Sequence, residues 1–289
     1  AIKVLSPKHA DSKSLKRRFL AEARLQSKLH HPNILQGIDV KEHEGLWYFV
    51  MEFVSGTDAQ VLMTQRGALP EREVLKIAQQ VAEALTYAHD HGIVHGDIKP
   101  ENIVIAADGS VKMIDFGIAR LAREEGDKGC IEGTREFMAP EVKSGKTKGD
   151  IRSDMYSLGV TLYELLTASL PPLAKGTDKE GPDPKEREPK IGLATAALVK
   201  MLLAVDPAHR PASPQALIKA LDKAAAGAPV QKVVGATASA AAPKRWRAAA
   251  LPIAFTVAVL GGAIGLYLAD QEDDVPDPKK PDGTTEAIV

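Results

Sequence analysis

The chain has 289 residues, enough for one or two ordinary domains. Charged residues make up 26% and apolar ones 44%, and the formal net charge is -1, which excludes a nucleic-acid partner held by bulk charge. The single cysteine, Cys130, excludes an internal disulfide and suits a cytosolic domain.

The first residues, Ala1-Ile2-Lys3, include no Met and no signal-like stretch, so the chain reads as a fragment whose N-terminus is missing. Glu22 lies in a charged, amphipathic helical stretch. Residues 46–53 are aromatic and apolar and predict a strand. Val74, Ile77, Val81, Leu85 and Ala88 recur at helical spacing, and Gly92 follows as a stop. Residues 103–105 and 111–114 predict two short strands joined across Asp108-Gly109, a hairpin turn. Residues 156–166 are apolar nearly all round and predict a buried helix. Ser213-Pro214 is a cap followed by a first-turn proline, opening the last helix of the globular part. Strands come first and helices dominate later, so the fold class is α+β.

Beyond residue 223 the composition changes. Residues 224–247 are rich in Ala, Pro, Gly and Ser, with no apolar period, and read as a linker. Residues 248–269 carry no charge; at 1.5 Å per residue they reach about 33 Å, the span of a bilayer core. Lys244, Arg245 and Arg247 precede this segment, and Asp270, Glu272, Asp273 and Asp274 follow it. The basic flank predicts a single pass through the cell membrane with the globular part in the cytoplasm and an acidic, disordered tail, 270–289, outside. Gly261 and Gly265, four apart, offer a close helix–helix face, so a homodimer is a further expectation.

The chemistry concentrates in His95-Gly96-Asp97-Ile98-Lys99-Pro100-Glu101-Asn102, between the helix that ends near Gly92 and the strand at 103. Eighteen residues after Asp97 comes Asp115-Phe116-Gly117, just past the second hairpin strand. Carboxylates and an amide thus gather at strand ends. Hard oxygen ligands of this kind suit Mg²⁺ carrying phosphates, and a carboxylate beside them can take a proton from a hydroxyl nucleophile. Singly, each piece is ordinary: an Asp after a strand is usually a turn former. Order and spacing together make the set specific.

This set resembles the protein-kinase signature, over residues 1 to about 223. The resemblance implies a bilobal fold, with residues 1–54 as an incomplete small lobe and 55–223 as a mainly helical large lobe. It implies a Ser/Thr kinase acting on protein substrates with ATP and Mg²⁺, which the apolar run 248–269 would anchor in the membrane. Ala1-Ile2-Lys3 resembles the end of the strand motif V-A-I-K, so Lys3 would contact the α/β-phosphates. Glu22, in Phe19-Leu20-Ala21-Glu22-Ala23, resembles the helix glutamate that pairs with that lysine, and His31-Pro32-Asn33 follows at the family's usual distance. Met51-Glu52-Phe53-Val54 resembles the gatekeeper and hinge, where backbone groups of Glu52 and Val54 would bond adenine. Asp97 would be the catalytic base, Asn102 a metal ligand and Asp115 the main Mg²⁺ ligand. Lys99 fits the Ser/Thr branch and would neutralise the transferring phosphate. Met138-Ala139-Pro140-Glu141 resembles the A-P-E motif, Asp154 would open the buried helix, and Arg210 would pair with Glu141 in a structural role.

The chain also departs from the family. No glycine-rich loop precedes Lys3, which reads as truncation; the alternative is a non-catalytic pseudokinase scaffold. Gly96 replaces the arginine of H-R-D. Residues 118–137 hold one hydroxyl residue, Thr134, so activity is expected not to require phosphorylation there. Gln26, one turn after Glu22, stands where the family usually has an apolar side chain packing on Phe116. Residues 168–192 are rich in proline and charge. His95 reads as core packing and Cys130 as a small surface residue.

Overall fold

The computed structural model describes residues 1–5, 12–116, 135–172 and 180–230. Gly117, Cys130, Thr134, most of the linker, the apolar segment 248–269 and the tail lie outside the described residues. Among the described residues no helix is long and apolar enough to cross a membrane.

Two small antiparallel sheets and seven helices organise the described residues. In the first sheet β1 (Ile2–Val4) pairs with β3 (Leu46–Met51), and β3 pairs with β2 (Gly37–His43). Lys3 lies opposite Phe49. Helix α1 (Lys13–Gln26) is capped by Ser12, whose hydroxyl accepts the Leu15 N–H. It buries Phe19 and Ala23 against Phe49 of the sheet. The predicted strand 46–53 stops earlier, at Met51, because the Glu52 N–H leaves the ladder and donates to the Gln36 carbonyl at 3.0 Å.

The second sheet has the order β4 (Gly56–Asp58), β5 (Ile103–Ala106), β6 (Val111–Met113). Gly56 is required there: a Cβ would lie 2.3 Å from the Ile105 carbonyl oxygen. The β5–β6 hairpin turns at Gly109, φ +82°, in the predicted place. Its second strand ends at Met113, since Ile114 N–H turns to the Asn102 carbonyl at 3.0 Å.

The main core is helical. It joins α3 (Glu71–Asp90), α5 (Ile151–Thr167), α6 (Leu193–Leu202) and α7 (Pro214–Ala225), with the shorter α2 (Ala59–Arg66) and α4 (Pro140–Lys143) in between. The predicted stripe on α3, from Val74 to Ala88, is buried, and Gly92 turns the chain at φ +71°. Helix α5 buries polar and apolar residues alike. Ser157 and Thr161 manage this by donating to the carbonyls of Ser153 and Ser157. Ser213 caps α7 as predicted, accepting the Ala216 N–H at 3.2 Å. One expectation is corrected. Asp154 does not open α5: Asp150 does, in a capping box with Ser153, and Asp154 lies inside the first turn with its carboxylate turned elsewhere.

Candidate active site

The segment 95–102 follows α3 and is pinned from below by Asp154. That side chain is 1% exposed. It accepts the His95 N–H on Oδ2 and the Gly96 N–H on Oδ1, both at 2.8 Å. Charge-assisted bonds of this kind fix a backbone firmly. Gly96 has φ +76°, a conformation that glycine adopts without strain.

His95 is fully buried, as expected of a packing residue, and it also ties the segment 95–102 to the stretch just past β6. Its Nε2 lies 3.1 Å from the Ile114 carbonyl, and its Nδ1 accepts the Asp97 N–H at 3.3 Å. The proton therefore sits on Nε2, and the ring is neutral. Its ring packs against Phe116, with centroids 4.3 Å apart and the planes tilted by 51°. Burial pushes its pKa down to about 4. Because the folded value lies below the ordinary 6.5, the unfolded chain binds the extra proton first. The stability from neutral His95 is complete above pH 6.5 and is lost as pH falls towards 4. The His95 ring resonances should show no protonation above about pH 5; a midpoint near 6.5 would contradict this.

Asp97 is held on one oxygen and left open on the other. Its Oδ2 accepts from Asn102 Nδ2 at 3.0 Å and lies 3.3 Å from Lys99 Nζ. Its Oδ1 is buried with no hydrogen-bond partner among the described residues. Asn102 Nδ2 also donates to the Asp97 carbonyl at 2.8 Å, and the Asn102 carbonyl accepts from Ile114. The structure thus brings Asp97, Lys99 and Asn102 together, one residue away from Asp115.

Asp115 has φ +61°, a strained conformation for a non-glycine residue and one that clusters at functional sites. Its Oδ1 accepts from Lys3 Nζ at 2.9 Å, and the same ammonium donates to Glu22 Oε1 at 2.7 Å. One cation therefore sits between two carboxylates. For Lys3, burial pulls its pKa down, but Glu22 and Asp115 outweigh that and hold it above the ordinary value. For Asp115, burial pushes up, and Lys3 outweighs it and holds the carboxyl below the usual range. For Glu22, burial prevails and, with Asp115 nearby, raises it despite Lys3.

Just past β3, the Glu52 carboxylate accepts the Gln36 N–H and pairs with Lys112, each at 2.7 Å. Val54 lies half-buried in the connection between β3 and β4.

Two residues escaped the sequence reading. Asp154 was assigned to the helix start rather than to the loop it holds. Glu164 on α5 has a buried Oε2 without a partner among the described residues. Its carboxyl is pushed up to about 7 by burial, then by Glu101 and Glu136. The signal available was its being the lone acid in the apolar run 156–166.

The profile of the protein kinase domain family matches residues 1–220. The chain belongs to the protein kinase family. Curated relatives of this kinase domain are serine/threonine-protein kinases. Pkn3 of Myxococcus xanthus is 36% identical over 230 residues, covering 71% of this chain and 42% of the relative. PrkC of Bacillus subtilis is 35% identical over 222 residues, covering 73% and 34%. PknB of Mycolicibacterium smegmatis is 36% identical over 226 residues, covering 73% and 36%. The chain thus spans less than half the length of these curated relatives. In the kinase domain the expected Arg210–Glu141 pair is present, its two N–H···O contacts at 2.6 and 2.9 Å.

Proposed function

We propose that this kinase domain transfers the γ-phosphoryl group of ATP to Ser or Thr hydroxyls of proteins, with Asp97 as the base. The observation that carries the reading is the buried, unpartnered Oδ1 of Asp97. A buried acceptor left unpaired costs about 1–3 kcal/mol, and such a cost is retained where a ligand group completes the bond. A substrate O–H supplies that group. Its oxygen forms the new bond to phosphorus, its proton goes to Oδ1, and ADP leaves. Lys99 lies 3.3 Å from the same carboxylate and would neutralise the transferring phosphoryl group.

The residues present also fit a magnesium ion. Asp115 offers a carboxylate, and Asn102, with Nδ2 spent on Asp97, offers its amide oxygen. When bound, the ion supplies neutralisation of the phosphate charge. Lys3 would reach the α/β-phosphates, oriented by Glu22. The Glu52 N–H is committed to Gln36, so its carbonyl and the Val54 backbone are the groups that would meet adenine. Calorimetric titration of the full-length protein should show ATP binding that strengthens with Mg²⁺. Asp115→Asn should weaken that Mg²⁺ effect by at least the roughly 10- to 100-fold that loss of an outer-shell partner costs. Equal ATP affinity with and without Mg²⁺ would favour the scaffold alternative.

The location of the domain is part of the same proposal. The uncharged run 248–269 and its basic flank support one membrane crossing with the kinase in the cytoplasm. Protease added to intact cells should leave residues 1–223 whole. Digestion of that part would overturn the orientation.

A further inference from the structure

Gln26 ends α1 and is 1% exposed, a buried amide where the family resemblance leads one to expect an apolar side chain. Its Nε2 donates to the Leu35 carbonyl at 3.1 Å. The Leu35 N–H donates to the Met113 carbonyl at 2.9 Å, and the Met113 N–H to the Asn33 carbonyl at 2.8 Å. Residues 33–35 therefore run beside β6, with Ile34 bridged to Met113. Two residues beyond Met113, Asp115 meets Lys3, and Lys3 meets Glu22, one turn before Gln26 on α1.

These contacts close a circuit: Lys3, Glu22, the last turn of α1, Gln26, Leu35, Met113, Asp115, and Lys3 again. Between α1 and β6 it is bridged by side chains at two places, Lys3 on one side and Gln26 on the other. Apolar packing at position 26 would hold the helix by buried area, which has no direction. A hydrogen bond fixes distance and angle. The end of α1 is also hemmed in by Gly37, where a Cβ would lie 2.9 Å from both the N and the Oγ of Ser27.

We infer that Gln26 is a positioning residue for phosphoryl transfer: it holds the helix carrying Glu22 in fixed register with the strand that delivers Asp115, so that one lysine meets both carboxylates. The inference rests on the catalytic reading above.

Gln26→Leu in the full-length protein keeps much of the volume and leaves the Leu35 carbonyl unpaired. The expected result is a fall in kcat of about tenfold, the scale of one lost buried partner, with KM for the protein substrate unchanged. Amide hydrogen exchange should quicken together in the last turn of α1 and at Met113. Gln26→Glu can donate only when protonated, so its kcat should recover towards wild type as pH falls. A Gln26→Leu enzyme with wild-type kcat and unchanged exchange at Met113 would overturn the inference and leave Gln26 a satisfied core amide. Exchange is read without turnover. An inactive wild type would therefore count against the catalytic reading, and unchanged Met113 exchange against the role of Gln26.

Discussion

Arg210→Ala should lower the stability of the kinase domain by about 3–5 kcal/mol, the usual cost of stranding one partner of a buried ion pair. The Arg210 side chain is fully buried, and every N–H of its guanidinium is used. Nε donates to the Ala204 carbonyl at 2.9 Å. One terminal nitrogen serves Glu141 Oε1 and the Arg152 carbonyl; the other serves Glu141 Oε2 and the Val205 carbonyl. The group also lies 4.9 Å from the centre of the Tyr156 ring. Alanine would strand a buried carboxylate and three carbonyls at once. Whole domains are stable by only about 5–15 kcal/mol, so this loss takes about a fifth or more. Arg210→Lys should recover little of it, because three donors on a point charge cannot reproduce a planar fork. Urea unfolding followed by circular dichroism checks this. A midpoint for Arg210→Ala equal to wild type would show that the pair contributes nothing.

The parts of the fold that were legible in the sequence are those whose cause is local. The stripe on α3, the turn at Gly109 and the cap at Ser213 follow from spacing and residue type within a few positions. So does the motif set of Asp97, Asn102 and Asp115, because backbone segments short enough to read as one motif deliver each of them. What was missed is non-local. Asp154 acts on His95 and Gly96, far upstream, and nothing in its own helix announces that. Standing next to an apolar run, it looked like a cap, while the true cap at Asp150 lay one turn earlier. The partner of Gln26 is a backbone carbonyl, which carries no residue identity to recognise. Strand β1, three residues long, is too short for a period of two to show and was legible only through the resemblance of Ala1-Ile2-Lys3 to a strand motif. Helix α6 went unread because its sequence, Leu-Ala-Thr-Ala-Ala-Leu-Val-Lys-Met-Leu, is apolar without a clear polar face and follows a stretch rich in proline and charge.

Asp97→Asn should reduce turnover by about 10²-fold or more while leaving the unfolding midpoint nearly unchanged. The asymmetry follows from the two oxygens. Oδ2 faces two donors, Asn102 Nδ2 and Lys99 Nζ, so the variant would keep its amide oxygen there and retain the local fold. That choice turns the amide NH₂ to the place of Oδ1. A group that accepted a proton becomes one that only donates, and the substrate hydroxyl meets a donor instead of a base. Lys3, Glu22 and Asp115 are untouched, so Mg²⁺-dependent ATP binding should persist. The most direct measurement is the initial rate of label transfer from γ-labelled ATP with Mg²⁺, full-length wild type beside Asp97→Asn, followed by acid hydrolysis to identify the labelled residue. The account predicts label on phosphoserine and phosphothreonine, formed at least about a hundredfold more slowly by the variant. Transfer by Asp97→Asn at the wild-type rate would contradict it.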